Sequence, residues 1–276
     1  MDNINELREE VLSYGKGYIP DTVDTRDFVA QAAAPIEERT VSYRDQMKPI
    51  RNQGQESTCV GFSSSAVKEY YDNKQRNRSD YFSPRFIYTE CKKIDGIPHE
   101  DGTYPRTAMQ VLNTIGIAPE QDWPYQLGPH SQPKVATIYD DAKPQVIQAY
   151  ARLNTVQDMV AQLMLSGPFL AGVWVTDGWY TDECLRTGFI DPKIRRNNRS
   201  GGHAICVMGY DADKKLFEIR NSWGDRYGDH GYNWASKDWM QKNFMDAWSL
   251  VDNTTIDAGL VVLKPSASGV MHKWIP

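Results

Sequence analysis

The first half of the chain carries apolar residues at the spacing of α-helices. The residues that would share one face of the first such helix are Phe62, Ala66, Val67 and Tyr70. Their spacing predicts a buried helix that begins near Cys59. Ser83 and Pro84 predict the start of a second helix, because serine caps helices and proline favours their first position. A third helix is expected over residues 104–115.

After about residue 146, β-branched and aromatic runs separated by turn residues replace this pattern. Thr155 and Asp158 predict the capped start of one more helix. The strands predicted after it are PFLAGVWV, HAICVMGY, LFEIRNSW, GYNWAS and GLVVL. We therefore expect an α+β fold with a helical first half and a mainly antiparallel second half.

Residues 1–39 show neither the helical nor the strand pattern over more than a short stretch. They combine a short charged helical stretch, the Pro- and Asp-rich GYIPDTVDTRDF and the bland AQAAAPIEE. We interpret this region as an N-terminal extension that lies on a main domain spanning residues 40–276. Three roles are compatible with the sequence: the extension blocks a cleft, packs elsewhere on the domain, or is removed.

Composition limits the classes of partner. The chain has 276 residues, of which 40% are hydrophobic and 11% aromatic, enough for a well-filled core. Its formal net charge of -5 disfavours nucleic acids and anionic membranes, because binding to either needs a basic face. The acidic N-terminus and the lack of a long apolar run predict neither a signal peptide nor a membrane span. We therefore expect a cytoplasmic location, or delivery by a route that needs no signal peptide.

The cysteines are spread widely along the chain, at Cys59, Cys91, Cys184 and Cys206. They are too few and too far apart for a disulfide scaffold, and no CxxC pair indicates a zinc site. We expect reduced thiols, no metal and no organic cofactor.

Cys59 stands where the polar loop RNQGQEST meets the first predicted helix. The positive end of the helix dipole and the unpaired N–H groups there favour a thiolate. A lone cysteine is more often a small core residue, so a catalytic role depends on its partners. Six residues earlier, the Gln53 amide could donate to a developing oxyanion together with the N–H of Cys59. Gln55 is a nearby rival for this role.

A thiolate nucleophile needs a base, and five histidines compete for that role. His203 stands out because it opens an apolar strand and follows Gly202, which leaves space for a substrate backbone. Asn221, where the strand LFEIR ends, could accept a hydrogen bond from one imidazole nitrogen and leave the other facing the thiol. Trp223 could shield that hydrogen bond from water. Taken singly, each of these residues is more often structural than catalytic.

The ordered set QGxxxxC with GFS, GGHA leading into a strand, and NSWGxxYGxxGY resembles the papain-like cysteine peptidases over residues 40 to about 265. The resemblance implies a two-lobed fold, with a helical lobe at about 50–145 and a β-barrel-like lobe at about 146–265. The active site is then expected in the cleft between the lobes. The roles that the resemblance implies are Cys59 as nucleophile, His203 as general base and then acid, Asn221 as orienter of the imidazole, and Gln53 as oxyanion donor.

The same resemblance implies a substrate-binding set. Gly102 and Thr103 stand where the family usually has two glycines that pair with the substrate backbone. Thr103 keeps the backbone groups but adds a side chain to the neighbouring pocket. Gly202 and Trp223 complete the expected set.

Two further positions depart from the family pattern. Glu56 stands in place of a cysteine, and Val60 stands in place of an aromatic residue. The usual disulfide of the family therefore cannot form, which fits a disulfide-free microbial branch.

These residues predict a cysteine endopeptidase that acts on polypeptides, with a protein inhibitor or an immunity protein as a further expected partner. Two alternatives stay open. One is the same thioester chemistry used for acyl transfer or for removal of a side-chain amide. The other is an inactive papain-like module that binds proteins. Glu100 and Asp101, beside the expected substrate-pairing residues, suggest the hypothesis that basic side chains are preferred on the peptide.

Overall fold

The computed structural model describes residues 3–77, 80–197, 201–252, 260–265 and 271–274. The helices in these residues are α1 (Ile4–Leu12), α2 (Cys59–Arg76), α3 (Pro84–Ile94), α4 (Pro105–Thr114), α5 (Ile138–Ala142), α6 (Val156–Leu165), α7 (Asp182–Thr187) and α8 (Lys237–Asn243). The strands are β1 (Val29–Ala32), β2 (Val41–Ser42), β3 (Ala149–Arg152), β4 (Phe169–Trp174), β5 (Gly202–Asp211), β6 (Leu216–Arg220), β7 (Tyr232–Ser236), β8 (Phe244–Val251), β9 (Leu260–Pro265) and β10 (Met271–Trp274). Within the described residues, no helix is long and apolar enough to cross a membrane.

The helices predicted from apolar spacing and caps are confirmed. Helix α2 begins at Cys59, and its C-cap Asn77 adopts a left-handed conformation with φ 51°. The Ser83 side chain accepts a hydrogen bond from the backbone N–H of Phe86 at the start of α3. A reciprocal capping box between Thr155 and Asp158 opens α6. The α+β expectation is therefore correct.

The described strands form one sheet in the order β10-β9-β1-β3-β8-β4-β5-β6-β7, with β2 paired to β5. Neighbours are antiparallel except for the pair β1 and β3, which is parallel. The sheet is open, which corrects the expected barrel-like shape. Helix α6 contacts β1 and β9 near one end of the sheet, and α8 contacts β6 and β7 at the other. These two helices also contact each other.

Part of the N-terminal extension belongs to this sheet. Strand β1, at residues 29–32, pairs with β3 and with β9. The extension is therefore more than a segment lying on the domain, because its backbone hydrogen bonds are built into the sheet. The proposed domain boundary near residue 40 stays a prediction.

Both faces of the central strands are buried, which explains why these strands are apolar in sequence almost without interruption. In β4, Phe169, Ala171 and Val173 point into one hydrophobic core, and Leu170 points into a second core on the opposite face. The second core also contains α2, α3 and α4, and the first contains α6 and α8. The sheet is thus the wall between the two cores, and α2 packs directly on β5.

A buried ion pair ties the middle of α2 to the end of β8. The ammonium group of Lys68 lies 2.5 Å from Asp252 Oδ2, and both side chains are fully buried. Asp72, one turn further along α2, is 3.6 Å from the same nitrogen. Burial lowers the pKa of Lys68 and raises the pKa of Asp252, while each partner opposes the shift of the other. The pair therefore fixes the position of the helix that begins with Cys59.

We predict that Lys68→Met destabilises the chain by about 3–5 kcal/mol, because the buried Asp252 carboxylate then loses its close counter-ion and keeps only Arg76, at 3.9 Å. Chemical denaturation followed by circular dichroism measures this free energy of unfolding. Lys74→Met is the matched control, since Lys74 lies on the same helix but is exposed, and it should change stability by less than about 0.5 kcal/mol. Equal effects of the two substitutions would contradict the assigned role of Lys68.

Candidate active site

Cys59 occupies the first turn of α2, at the contact between this helix and β5. Its side chain is fully buried. The backbone N–H groups of Ala204 and Gly17 are directed at its sulfur. Ala204 is the second residue after the start of β5, whereas Gly17 belongs to the N-terminal extension. The thiol therefore lies between the two lobes and is covered by a distant part of the same chain.

His203 and Asn221 meet as the sequence predicts. Asn221 Oδ1 lies 2.9 Å from His203 Nε2 and also accepts the backbone N–H of Ser222 at 2.7 Å. The other imidazole nitrogen, Nδ1, is buried and has no hydrogen-bond partner. The ring is fully buried. The asparagine thus orients the imidazole and leaves Nδ1 free for the thiol proton.

Trp223 covers the imidazole. Its ring stacks on His203 with 4.7 Å between centroids and an interplanar angle of 29°. Trp179 and Tyr227 meet the same indole edge-on at 5.4 and 5.1 Å. The indole is 1% exposed, which agrees with shielding of the His203–Asn221 bond from water. Its assignment to substrate binding stays a prediction.

Gln53 points its amide nitrogen into the cleft, and its rival Gln55 is exposed. The Ser222 hydroxyl donates to Gln53 Oε1 at 2.6 Å, which turns Nε2 the other way. Nε2 then donates to the carbonyl oxygens of Gly15 at 3.0 Å and of Glu56 at 2.9 Å. A carbonyl of the N-terminal extension therefore takes up the donor that was expected to serve an oxyanion.

Residues 14–19, which we call the strap, run through the cleft. Gly15 donates its N–H to the carbonyl of Gly54 at 3.1 Å, and Gly17 lies against Cys59. A Cβ atom at Gly15 would come within 2.2 Å of the Glu56 carbonyl oxygen, and one at Gly17 within 1.9 Å of the Ser57 oxygen. Only glycine allows this approach of one backbone to another.

The expected substrate-pairing residues pair with the strap. Thr103 donates its N–H to the Gly17 carbonyl at 2.9 Å and accepts the N–H of Ile19 at 3.1 Å. This pairing is parallel. The Thr103 hydroxyl turns away and donates to Asp95 at 3.0 Å, so its side chain does not narrow the cleft. Gly102 has φ 86°, and a Cβ atom there would come within 2.3 Å of the Gly17 oxygen.

Tyr18 fills a pocket beside the cleft. Its N–H donates to the carbonyl of Gly202 at 3.4 Å. Its ring lies where Cβ atoms of Gly172 and Gly202 would otherwise stand, at 1.9 and 2.6 Å from the nearest ring atoms. At the end of the pocket the Tyr18 hydroxyl donates to Asp246 Oδ2 at 2.6 Å. No sequence pattern indicated this pocket, because Asp246 lies on β8, a strand that was not predicted.

Both ends of the strap are anchored. On the N-terminal side, Val11 of α1 is fully buried and Arg8 donates to the carbonyl of Tyr180 at 2.9 Å. On the C-terminal side, the Asp21 N–H donates to Asp246 at 2.9 Å, and its carboxylate accepts the N–H of Arg106 at 2.8 Å. The strap is thus held across the cleft by contacts outside it.

Burial under the strap sets the charge state of the pair. Desolvation raises the pKa of the Cys59 thiol to about 11, although the surrounding backbone N–H groups act in the opposite direction. Desolvation also lowers the pKa of His203 to about 4, against the hydrogen bond to Asn221. Near pH 7 both groups are therefore neutral. Burial in this closed arrangement therefore opposes the thiolate that the helix dipole was expected to favour.

The remaining cysteines and histidines lie outside the site. Cys91, Cys184 and Cys206 are buried free thiols, like Cys59. His99, His130 and His230 are exposed, and the side chain of His272 lies outside the described residues. In the described part of the chain, no cluster of three or more His, Cys, Asp and Glu side chains is placed to hold a metal ion.

The sequence model of one family, described as papain family cysteine protease, matches residues 35–248. A peptidase C1-like protein of Acanthamoeba polyphaga mimivirus is 28% identical over 192 residues, which are 66% of this chain and 62% of that protein. Cysteine proteinase 3 of Entamoeba histolytica is 25% identical over 225 residues, covering 80% of this chain and 68% of its own length. The chain thus spans less than two thirds of the viral relative.

Solved structures share the fold. Xylellain, a cysteine protease from Xylella fastidiosa, superimposes with a TM-score of 0.71 at 26% identity, covering 88% of this chain and 97% of its own. Digestive procathepsin L 3 of the Tenebrio molitor larval midgut superimposes with a TM-score of 0.66 at 18% identity, covering 91% of this chain and 79% of its own. The viral and bacterial relatives are consistent with the microbial branch expected from the missing disulfide.

We predict that Cys59 of the native chain reacts slowly with iodoacetamide at neutral pH. Because a thiol with a pKa of about 11 is almost fully protonated there, the rate should rise about tenfold per pH unit up to pH 10. An exposed thiol with a pKa of about 8.5 levels off earlier. Mass spectrometric mapping of modified cysteines at each pH measures the rates, with buried Cys206 as internal reference. Fast, selective modification of Cys59 at pH 5 would contradict the closed, neutral pair.

Proposed function

The chain belongs to the papain family of cysteine proteases, and we propose that it is an endopeptidase that cleaves polypeptides through a thioester on Cys59. One observation carries this proposal: a single backbone segment contacts the Gln53 amide through Gly15, lies against Cys59 through Gly17, and donates through Tyr18 to Gly202, next to His203. A peptide substrate that replaced this segment would meet a nucleophile, a base and an oxyanion donor together.

The proposed reaction uses only side chains and backbone groups of the site. With the cleft open, His203 Nδ1 takes the thiol proton and the Cys59 sulfur attacks the peptide carbonyl carbon. The oxyanion accepts hydrogen bonds from Gln53 Nε2 and the Cys59 N–H. His203 then returns the proton to the leaving amine as the C–N bond breaks. Water, deprotonated by the same imidazole, releases the acid from the thioester.

We further propose that the strap inhibits this reaction. The Gly15 carbonyl of the strap accepts a hydrogen bond from the Gln53 amide. The Gly17 N–H of the strap faces the Cys59 sulfur. The strap therefore fills the space in front of the thiol and blocks the approach of a substrate. Activity would then require displacement or removal of the strap.

Two other functions share parts of this site. Acyl transfer or removal of a side-chain amide would use the same thioester, and a protein-binding module would use the cleft without chemistry. No contact in the cleft favours either over peptide hydrolysis. They differ from it in product: a cleaved backbone for the peptidase, an intact chain of changed mass for transfer or deamidation, and an unchanged chain for binding alone.

We predict that Gly17→Val raises kcat/KM for peptide hydrolysis at least tenfold over the native chain. A Cβ atom at this position overlaps the Ser57 backbone, 1.9 Å from its carbonyl oxygen, so the strap must leave the cleft. Hydrolysis of fluorogenic peptides measures the rate, and mass spectrometry of the products identifies the bond cleaved. The same substitution should allow Cys59 to be alkylated near neutral pH.

Val23→Ala is the matched control, because Val23 belongs to the same extension but is 83% exposed, and it should leave the activity unchanged. Adding Cys59→Ala to Gly17→Val should abolish hydrolysis. A folded Gly17→Val chain with an alkylatable Cys59 and no cleavage of any peptide would reject the peptidase proposal. A chain that stays closed would reject the role of the strap.

The Tyr18 pocket supports a proposal for substrate preference. Its walls are glycines, and the carboxylate of Asp246 stands at its end, 1% exposed. Burial raises the pKa of this carboxyl, and a hydroxyl donor offsets the cost of burying the charge. A substrate side chain that reaches the same carboxylate with a hydroxyl, as tyrosine does, should bind best there.

In the Gly17→Val chain, we predict that peptides with tyrosine in this pocket are cleaved about tenfold or more faster than matched phenylalanine peptides. A hydrogen bond to a charged acceptor accounts for a difference of that size. Cleavage profiling of a peptide library measures the ratio. Asp246→Ala should reduce it to near one, whereas Asp101→Ala should not, since Asp101 is exposed. A ratio of one in the parent chain would contradict the proposal, and enrichment of Lys or Arg would instead support the hypothesis based on Glu100 and Asp101.

A further inference from the structure

We propose that Asn233 is a positioning residue that, through Asn221, fixes which nitrogen of His203 carries the proton. This inference rests on the proposed function only in taking His203 as the base. It assigns a role to a residue on β7 that touches neither the thiol nor the strap.

The first observation is a second amide behind the first. Asn221 Nδ2 donates to Asn233 Oδ1 at 3.0 Å. Asn233 is fully buried, and Asn221 is 4% exposed. A buried amide is costly unless its donors and acceptors are paired. The two buried side chains therefore form a hydrogen-bonded unit.

A backbone group fixes the direction of this unit at the histidine end. The Ser222 N–H can only donate, and it donates to the Asn221 side chain at 2.7 Å. The atom that receives it must be the oxygen of the amide. The nitrogen of Asn221 is then forced to face Asn233.

A second backbone group fixes the direction at the opposite end. The Gly188 carbonyl can only accept, and Asn233 Nδ2 donates to it at 3.1 Å. Tyr227 agrees with this direction, because its hydroxyl already donates to the Trp179 carbonyl at 3.0 Å and can only accept from Asn233 Nδ2, at 3.3 Å. The oxygen of Asn233 is thereby turned towards Asn221.

These two fixed ends leave one orientation for both amides. If either amide flipped, nitrogen would face nitrogen and oxygen would face oxygen at buried contacts, which leaves several polar groups unpaired. With Asn221 Oδ1 as acceptor, His203 Nε2 must be the protonated nitrogen of the neutral ring. The lone pair then resides on Nδ1, where a base needs it. Without Asn233, only the Ser222 N–H would hold the amide in place.

Gly188, whose carbonyl anchors the Asn233 side chain, is itself held in place by its turn. Gly188 ends helix α7 with φ 74°, and a Cβ atom there would come within 2.2 Å of the Tyr232 carbonyl oxygen. Its carbonyl accepts both the Trp234 N–H, at 2.8 Å, and the Asn233 side chain. The anchor is therefore a rigid turn held to β7 by main-chain hydrogen bonds.

The test compares Asn233→Leu with Asn243→Leu in the full-length chain. Asn243 is also buried and donates one hydrogen bond to the carbonyl of Trp239 at 2.9 Å, but it has no contact with Asn221. Nuclear magnetic resonance of labelled imidazole nitrogens at pH 7, assigned with His203→Ala, reports the tautomer. We expect protonation at Nε2 in the native chain and in Asn243→Leu, and a mixture of both tautomers in Asn233→Leu.

Kinetics in the Gly17→Val background give the second readout. Asn233→Leu should lower kcat about tenfold to a hundredfold, with KM changed less than threefold, because a misoriented base affects the chemical step more than binding. Asn243→Leu should change kcat less than threefold. An unchanged tautomer in folded Asn233→Leu, or equal kcat losses in the two variants, would overturn the proposal.

Asn233→Asp keeps the test decisive if Asn233→Leu does not fold. One carboxyl oxygen still accepts from Asn221, and the other, when protonated, can donate to the Gly188 carbonyl as Asn233 Nδ2 does. The Nε2 tautomer should therefore persist in Asn233→Asp. Loss of that tautomer in a folded Asn233→Asp chain would overturn the proposal. If the Gly17→Val chain cleaves no peptide at all, the peptidase proposal fails, but the tautomer of His203 still decides the role of Asn233.

Discussion

The contact between the first turn of α2 and the start of β5 is the constraint on which the rest of the structure depends. The Ser63 hydroxyl donates to the carbonyl of Ala204 at 2.8 Å, which ties the helix to the strand directly beside His203. Cys59 and His203 are far apart in sequence and belong to different lobes. Their meeting therefore depends on the sheet, with a core on each face, and on the buried charge pair that holds the middle of α2.

The strap covers this same contact between α2 and β5. Glycine at positions 15 and 17 lets a main chain lie where a substrate is proposed to lie, closer than any side chain would permit. Covering the junction removes water from the thiol and the imidazole together. Because the charged forms lose solvation, the thiol keeps its proton and the ring stays neutral. Occlusion and loss of the thiolate thus have one physical cause.

The sequence was informative where a signal is local. Helix caps at Ser83 and Thr155, the apolar run of β5 and the order of the cysteine, histidine and asparagine motifs each depend on neighbouring residues, and the structure agrees with them. The open sheet was not predicted, because closure depends on which helices fill its interior. The path of the strap could not be predicted either, because no local pattern shows which surface a loop will cover. The sequence contains the glycines of YGKGY but does not show what they contact.

Asn233 shows the same limit at the level of a single residue. It lies between Tyr232 and Trp234 in a predicted strand, and in the structure it shares a face of β7 with the buried Ala235, two residues later. A buried polar residue at such a position needs a hydrogen-bond partner, but the sequence does not show which residue that is. Only the folded chain identifies that partner as Asn221, since the connection passes through a turn and a neighbouring strand.

The closed structure keeps the proposed catalytic groups assembled while it keeps them neutral. Gln53 is held by Ser222, and Asn221 is held from both sides by groups that no strap residue touches. None of these hydrogen bonds needs to change when the strap leaves. Displacing the strap would therefore change the solvation and the charge state of the site but not its geometry. The opened site would already be preorganised for the reaction. The strap is anchored by contacts at its two ends, through α1 and through Asp21, in addition to the hydrogen bond that Gln53 donates to Gly15.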